Sequence, residues 1–125
     1  MEFKDKEAIY LQIAGYVSDH ILIGKWPCEE KIPSVRELAV SLEVNPNTVM
    51  RTYELLQNQG LIYNKRGIGF FVALNAPKEI KKLRKERFLE QELPDFFKSI
   101  YLLEITVDEI GQKYEDFKSK IIQPN

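Results

Sequence analysis

The chain has 125 residues and a mass of 14.7 kDa, the span of one typical domain or of a small domain with a helical extension. Its 44% hydrophobic content excludes global disorder, and its longest uninterrupted apolar run, Phe70 to Leu74, falls far short of the roughly 18–20 residues of a membrane span. Eighteen basic against nineteen acidic side chains, a net charge of -1 and a pI near 5.9 argue against a uniformly basic nucleic-acid binder, whose pI lies above about 9.

Ala8 to Ile23 reads as a first helix. Ile9, Ile13, Val17 and Ile21 recur at helical spacing, Tyr10, Tyr16 and Leu22 widen the stripe, and Gly24 is a stop. Gly24 to Pro33 reads as a loop broken by Pro27 and Pro33. Ser34-Val-Arg-Glu37 has the spacing of a capping box, which opens a short helix with Val35, Leu38, Ala39 and Leu42 facing inward. After Ser41-Leu42-Glu43-Val44, Asn45 is an N-cap and Pro46 suits the first helical position, where a missing N–H costs nothing. This third helix runs to about Gln59 with Val49, Tyr53 and Leu56 inward, and Gly60 closes it.

The period then shortens. Leu61-Ile-Tyr63 and Phe70-Phe-Val72 are β-prone runs around the turn-rich Asn64 to Gly69, which predicts a hairpin with a basic tip. Asn75-Ala76-Pro77 is the expected boundary between domains at 7–75 and 76–125. Beyond it, Pro77 opens a helix through Ile80, Leu83, Phe88, Leu89 and Leu93, which Pro94 kinks or interrupts. Phe96, Phe97, Ile100, Tyr101 and Leu103 continue the apolar face, and Thr106-Val-Asp-Glu109 caps a last helix carrying Ile110, Tyr114, Phe117 and Ile121.

Three short helices followed at once by a hairpin make a winged helix-turn-helix. In that arrangement the N-terminal part of the third helix meets base edges in the major groove, and the preceding helix crosses the backbone. Asn45, Asn47, Thr48 and Arg51 occupy those positions. Asparagine pairs bidentately with adenine, and a threonine methyl packs on a thymine methyl. Free N–H groups at the helix start suit a phosphate. Charge is distributed to match: Val44 to Val72 holds three basic residues, Arg51, Lys65 and Arg66, against Glu54 alone, and a local field depends on where charge sits.

Residues 9 to 72 resemble the winged-helix domain of GntR-family bacterial transcription regulators. The resemblance is carried by Ile9-Tyr10-Leu11-Gln12-Ile13, by Ile32 to Ala39, by Asn47-Thr48-Val49, by Gly60-Leu61-Ile62 and by Arg66 to Val72. Val44-Asn-Pro-Asn-Thr-Val49 and a tail of about fifty residues look like the YtrA-like subfamily. The resemblance implies an α+β, mostly helical fold: a winged helix-turn-helix followed by a short two-helix dimerisation tail. It implies a homodimeric repressor on double-stranded DNA with an inverted-repeat operator. Ser34 itself reads as a helix cap, with a phosphate contact as a second role. Carried over by position, Arg36 reaches operator bases or phosphates, Asn45, Asn47 and Thr48 match the reading end of the recognition helix, and Arg66 and Gly67 form the wing tip beside Lys65. Pro46 stands where many members carry arginine, which moves the reading toward Asn47 and Arg36. Glu29 replaces a turn glycine and Ala8 an early proline.

The aromatic series Phe88, Phe96, Phe97, Tyr101, Tyr114 and Phe117 reads as dimer core, and a pocket for a small-molecule effector is the alternative use of the same residues. A winged-helix protein–protein module that never engages DNA is the alternative to the whole reading. An enzyme is disfavoured: His20 is the single histidine and Cys28 the single cysteine, so no nucleophile–base–orienter set and no cysteine-based metal site exist. No cofactor is expected. His20 and Trp26 read as edge-of-core residues, Cys28 as an inert thiol, and Glu29/Glu30 and Asp108/Glu109 as solvated charges. The N-terminal residues carry both signs of charge and lack a signal peptide's apolar core, so a soluble, cytoplasmic chain is expected.

Overall fold

The computed structural model describes residues 1–4 and 6–122, in two compact units, Met1–Leu83 and Arg84–Asn125. The first unit contains α1 (Ile9–Leu22), α2 (Val35–Leu42), α3 (Pro46–Asn58), an antiparallel hairpin of β1 (Ile62–Lys65) and β2 (Gly69–Val72), and the start of α4 (Ala76–Arg87). A π-helical stretch, Phe88–Glu92, joins α4 to α5 (Leu93–Leu102), and α6 (Val107–Ile122) follows. No helix of the described residues is long and apolar enough to cross a membrane.

Each core element of the first unit contributes its apolar stripe. Ile13, Val17 and Ile21 of α1 meet Leu38, Ala39 and Leu42 of α2 and Val49, Tyr53 and Leu56 of α3, with Leu61, Ile62 and Val72 closing the cluster from the hairpin. Burying side chains of this size contributes about 1.5–3 kcal/mol each. Val35 is half-buried against the same cluster. Ile9 departs from the expected stripe and is 44% exposed, because it is the first residue of α1 and projects past the packed part of the helix. Ala76 and Ile80 are buried in this core and Leu83 packs against it, so the first compact unit continues past Asn75 into α4.

The turn between α2 and α3 is fixed by its hydrogen bonds. Val44 N–H donates to Ala39 C=O at 3.0 Å and Glu43 N–H to Val40 C=O at 3.2 Å, the paired bonds of a Schellman motif. The motif requires a left-handed residue, here Glu43 at φ 57 and ψ 47. Asn45 then caps α3 and Pro46 opens it.

The segment expected to be a plain loop, Gly24 to Pro33, adds a third edge to the wing. Lys31 bridges Phe71 in antiparallel sense. Glu29 N–H donates to Val72 C=O at 2.8 Å, Val72 N–H to Glu30 C=O at 3.1 Å and Ile32 N–H to Phe70 C=O at 2.9 Å. Flanking prolines and adjacent glutamates hide this pairing from a propensity reading. The hairpin also runs further into its turn than expected: Lys65 pairs with Gly69, leaving Arg66, Gly67 and Ile68 as the loop.

In the second unit Pro94 does not end the helical backbone. Proline lacks an N–H and its ring crowds the carbonyl four residues back, which is Glu90. The backbone answers with the wider π turn over Phe88–Glu92, and Pro94 then lies in the first turn of α5. Ile105 N–H donates to Ile100 C=O at 2.9 Å and Glu104, at φ 57, to Tyr101 C=O at 3.3 Å, repeating the α2–α3 termination. Thr106 Oγ1 then accepts from Glu109 N–H at 3.1 Å to cap α6.

Tyr53 joins several of these elements. Its side chain is fully buried, and its hydroxyl donates to Pro33 C=O at 2.6 Å. Tyr53→Phe leaves that carbonyl without its partner and is expected to lower unfolding stability by about 1–3 kcal/mol, read from the urea midpoint. An unchanged midpoint would show that the bond contributes nothing net.

Candidate nucleic-acid interface

The start of α2 is a complete capping box. Ser34 Oγ accepts from Glu37 N–H at 3.1 Å, and Glu37 Oε1 accepts from Ser34 N–H at 2.9 Å. Hydrogen bonding of the carboxyl to Ser34, its backbone N–H first and its side chain second, holds Glu37 below its ordinary pKa, with a smaller contribution from the charge of Lys31. Of the donors that a helix start leaves over, the box satisfies the third position, and the N–H groups of Val35 and Arg36 are those with no acceptor inside the helix. The Arg36 side chain is exposed.

The start of α3 differs from expectation. Asn45 Oδ1 accepts from Asn47 N–H at 2.8 Å, Thr48 N–H donates to Asn45 C=O at 3.0 Å, and Val49 N–H to the same carbonyl at 3.4 Å. Pro46 has no N–H. The free donors expected here for a phosphate are therefore already spent, and open donors lie at α2 instead. Asn45 therefore serves as the cap of α3. Asn47 is exposed, whereas Thr48 is half-buried.

Two features of α3 were not legible in the sequence. Thr52 is fully buried and its hydroxyl reaches Tyr10 C=O at 2.8 Å and Thr48 C=O at 3.1 Å. Arg51, exposed on the helix, holds its guanidinium 3.7 Å from the centre of the Tyr10 ring, a cation–π distance. Tyr10 thus fixes α3 through its backbone and steadies Arg51 through its ring. Pairs separated by some forty residues leave no periodic signal.

The wing has a similar support. Tyr63 and Phe71 stack with centroids 5.7 Å apart and rings 19° from parallel, and Lys65 Nζ lies 4.4 Å from the Phe71 centroid. Tyr63 donates its hydroxyl to Glu29 Oε2 at 2.6 Å. That bond, followed by burial and the Glu29 charge, raises the tyrosine pKa. At the tip Lys65 C=O accepts from Ile68 N–H at 2.9 Å and Gly67 has φ +79, a backbone conformation that a β-carbon disfavours. Arg66 beside it is exposed.

The remaining residues singled out in the sequence are structural. His20 Nδ1 lies 2.8 Å from Tyr16 C=O, with its ring between Tyr16 and Trp26. Cys28 is half-buried. Among the described residues no group of three or more His, Cys, Asp or Glu side chains could hold a metal.

Residues 9–72 match the family model described as bacterial regulatory proteins, gntR family. The chain belongs to the GntR family. This GntR chain is 34% identical over 116 residues to the HTH-type transcriptional regulator YhcF of Bacillus subtilis, covering 93% of the chain and 94% of that protein. Its fold matches a solved GntR-family transcriptional regulator from Bacteroides thetaiotaomicron with a TM-score of 0.81 and 54% identity, over 90% of this chain and 98% of that one. The GntR unit also matches AraR(DBD), solved in complex with operator ORR3, with a TM-score of 0.51 and 32% identity, over 58% of this chain and 92% of that one.

Proposed function

We propose that this GntR-family chain is a sequence-specific DNA-binding transcriptional regulator, acting as a homodimeric repressor at an inverted-repeat operator. One observation carries the reading. Helix α3 is anchored by Val49, Thr52, Tyr53 and Leu56, all fully buried, while Asn47 and Arg51 on the same helix, and Lys65 and Arg66 on the wing, are exposed. A rigidly held helix with polar, hydrogen-bonding side chains outward, followed by a basic loop, matches what a major groove and its flanking phosphates recognise.

The geometry supports a role for each residue. Asn47 reads bases from the first turn of α3, and the Thr48 methyl borders that contact. Arg51, steadied by Tyr10, and Arg36, at the open start of α2, reach bases or phosphates. The Ser34 hydroxyl and the N–H groups of Val35 and Arg36 suit a phosphate oxygen. Lys65 and Arg66 neutralise backbone charge, and Gly67 brings the loop close. Asn45 acts through the cap it supplies to α3.

The second unit supports the dimer. Tyr101 is 81% exposed and Phe97, Tyr114 and Phe117 are each more than half exposed, and large exposed apolar side chains concentrated on two helices point to an interaction site. Burial against a second copy covers it and sets two reading helices on a two-fold axis, with half-sites about 34–36 Å apart or a multiple of that. A dimer seated across two grooves represses by occupying the site.

Arg36→Ala is expected to lower operator affinity by about 1–3 kcal/mol and relax specificity, whereas neutralising Lys65 and Arg66 weakens binding to all sequences and flattens the salt dependence. Titrations at two salt concentrations check both, and wild-type affinity and slope would remove these residues from the interface. For the dimer, Phe97→Glu with Tyr101→Glu in the full chain is expected to sediment as a folded monomer. A dimer of wild-type strength would contradict the proposed interface.

A further inference from the structure

The α3 face that the core leaves open contains one residue that neither capping, packing nor charge explains. Met50 is 41% exposed, while the adjacent Val49 is 0% exposed and Thr52, Tyr53 and Leu56 on the same helix are equally buried. It does not belong to the buried core cluster. It stands one turn after Asn47 and one turn before Glu54, both exposed, so the three share one stripe of the helix. Its neighbour Arg51 is engaged with the Tyr10 ring, which leaves Asn47 and Met50 as the unengaged side chains in the first two turns of that stripe.

The chemistry of the residue selects a ligand. Methionine offers no strong donor or acceptor, so it cannot read the polar edges of bases or pair with a phosphate. In a major groove the apolar feature of an unmodified base edge is the 5-methyl group of thymine. An unbranched, flexible thioether adapts its shape to such a group, and bringing the two together removes apolar surface of both from water.

We propose that Met50 is a specificity-determining residue that packs on a thymine methyl next to the base pair read by Asn47. The inference rests on the DNA-binding reading and adds to it a contact that the sequence pattern did not single out. It assigns each half-site a thymine whose methyl group, rather than its hydrogen-bonding edge, is recognised.

The test uses the full chain and a duplex enriched from a random library by the wild-type protein. Each thymine of the enriched duplex is replaced in turn by uracil, which keeps every hydrogen-bonding group and removes only the methyl. One position per half-site is expected to weaken wild-type binding by about fourfold, the value of one buried methyl-sized group. Met50→Ala, exposed and favourable to a helix, is expected to fold as the wild type and to lose the penalty at that position alone. Thr48→Ser, which removes the other methyl near the start of α3, is expected to keep it. Uracil tolerated everywhere by the wild type, an undiminished penalty in Met50→Ala, or a penalty abolished by Thr48→Ser instead would each overturn the inference. Failure of any duplex to enrich would overturn the DNA-binding reading beneath it, an outcome distinct from these three.

Discussion

Tyr53 is the point on which the first unit is organised. Its ring lies in the core of α3, packs edge-on against Phe70 of β2 at 4.9 Å between centroids, and its hydroxyl closes on Pro33 C=O, the residue before the α2 cap. One side chain therefore connects α3, the start of α2 and the base of the wing. Burial, with a smaller contribution from the Glu37 charge, drives its pKa well above the ordinary tyrosine value, so the hydroxyl stays protonated and donating. Thr52 beside it ties α3 to α1 through Tyr10. The polar residues on the outer face need spend nothing on holding the helix in place.

That division of labour bears on the charge balance. A chain with net charge -1 gains little from indiscriminate attraction to a polyanion. Two of the three cations between Val44 and Val72 are held by rings: Arg51 over Tyr10 and Lys65 over Phe71. A guanidinium or ammonium already oriented by a ring loses less freedom on contact than one on a free stem. Under the proposed function, affinity comes from positioned contacts in two half-sites, and specificity from base edges and methyl groups.

The main elements were legible in the sequence because each is announced by local chemistry. The Ser34–Glu37 box, the Asn45-Pro46 start and the alternation of the hairpin depend on residues a few positions apart, and they fold as the spacing predicts. What was not legible is non-local or compensatory. The pairing of Lys31 with Phe71 joins segments forty residues apart. The Asn45 cap consumes donors that the sequence offers to a phosphate. Pro94 reads as a kink, yet a π turn absorbs it. Glu43 and Glu104 take left-handed conformations that favour glycine. For the candidate site, Arg36, Asn47, Arg51, Lys65 and Arg66 are all exposed as a DNA contact requires, whereas Met50 reads in the sequence as one more helix former and stands out only when its exposure is compared with that of Val49.

The central claim is that DNA is met by the starts of α2 and α3 and by the wing tip, and not by the apolar helices of the second unit. Amide hydrogen exchange of the full chain, with and without an enriched duplex, tests it most directly. The account predicts slowed exchange at residues 35–37, 45–51 and 65–68 in the presence of that duplex, and none with a scrambled one. Unchanged exchange at those residues, with slowing confined to α5 and α6, would contradict it.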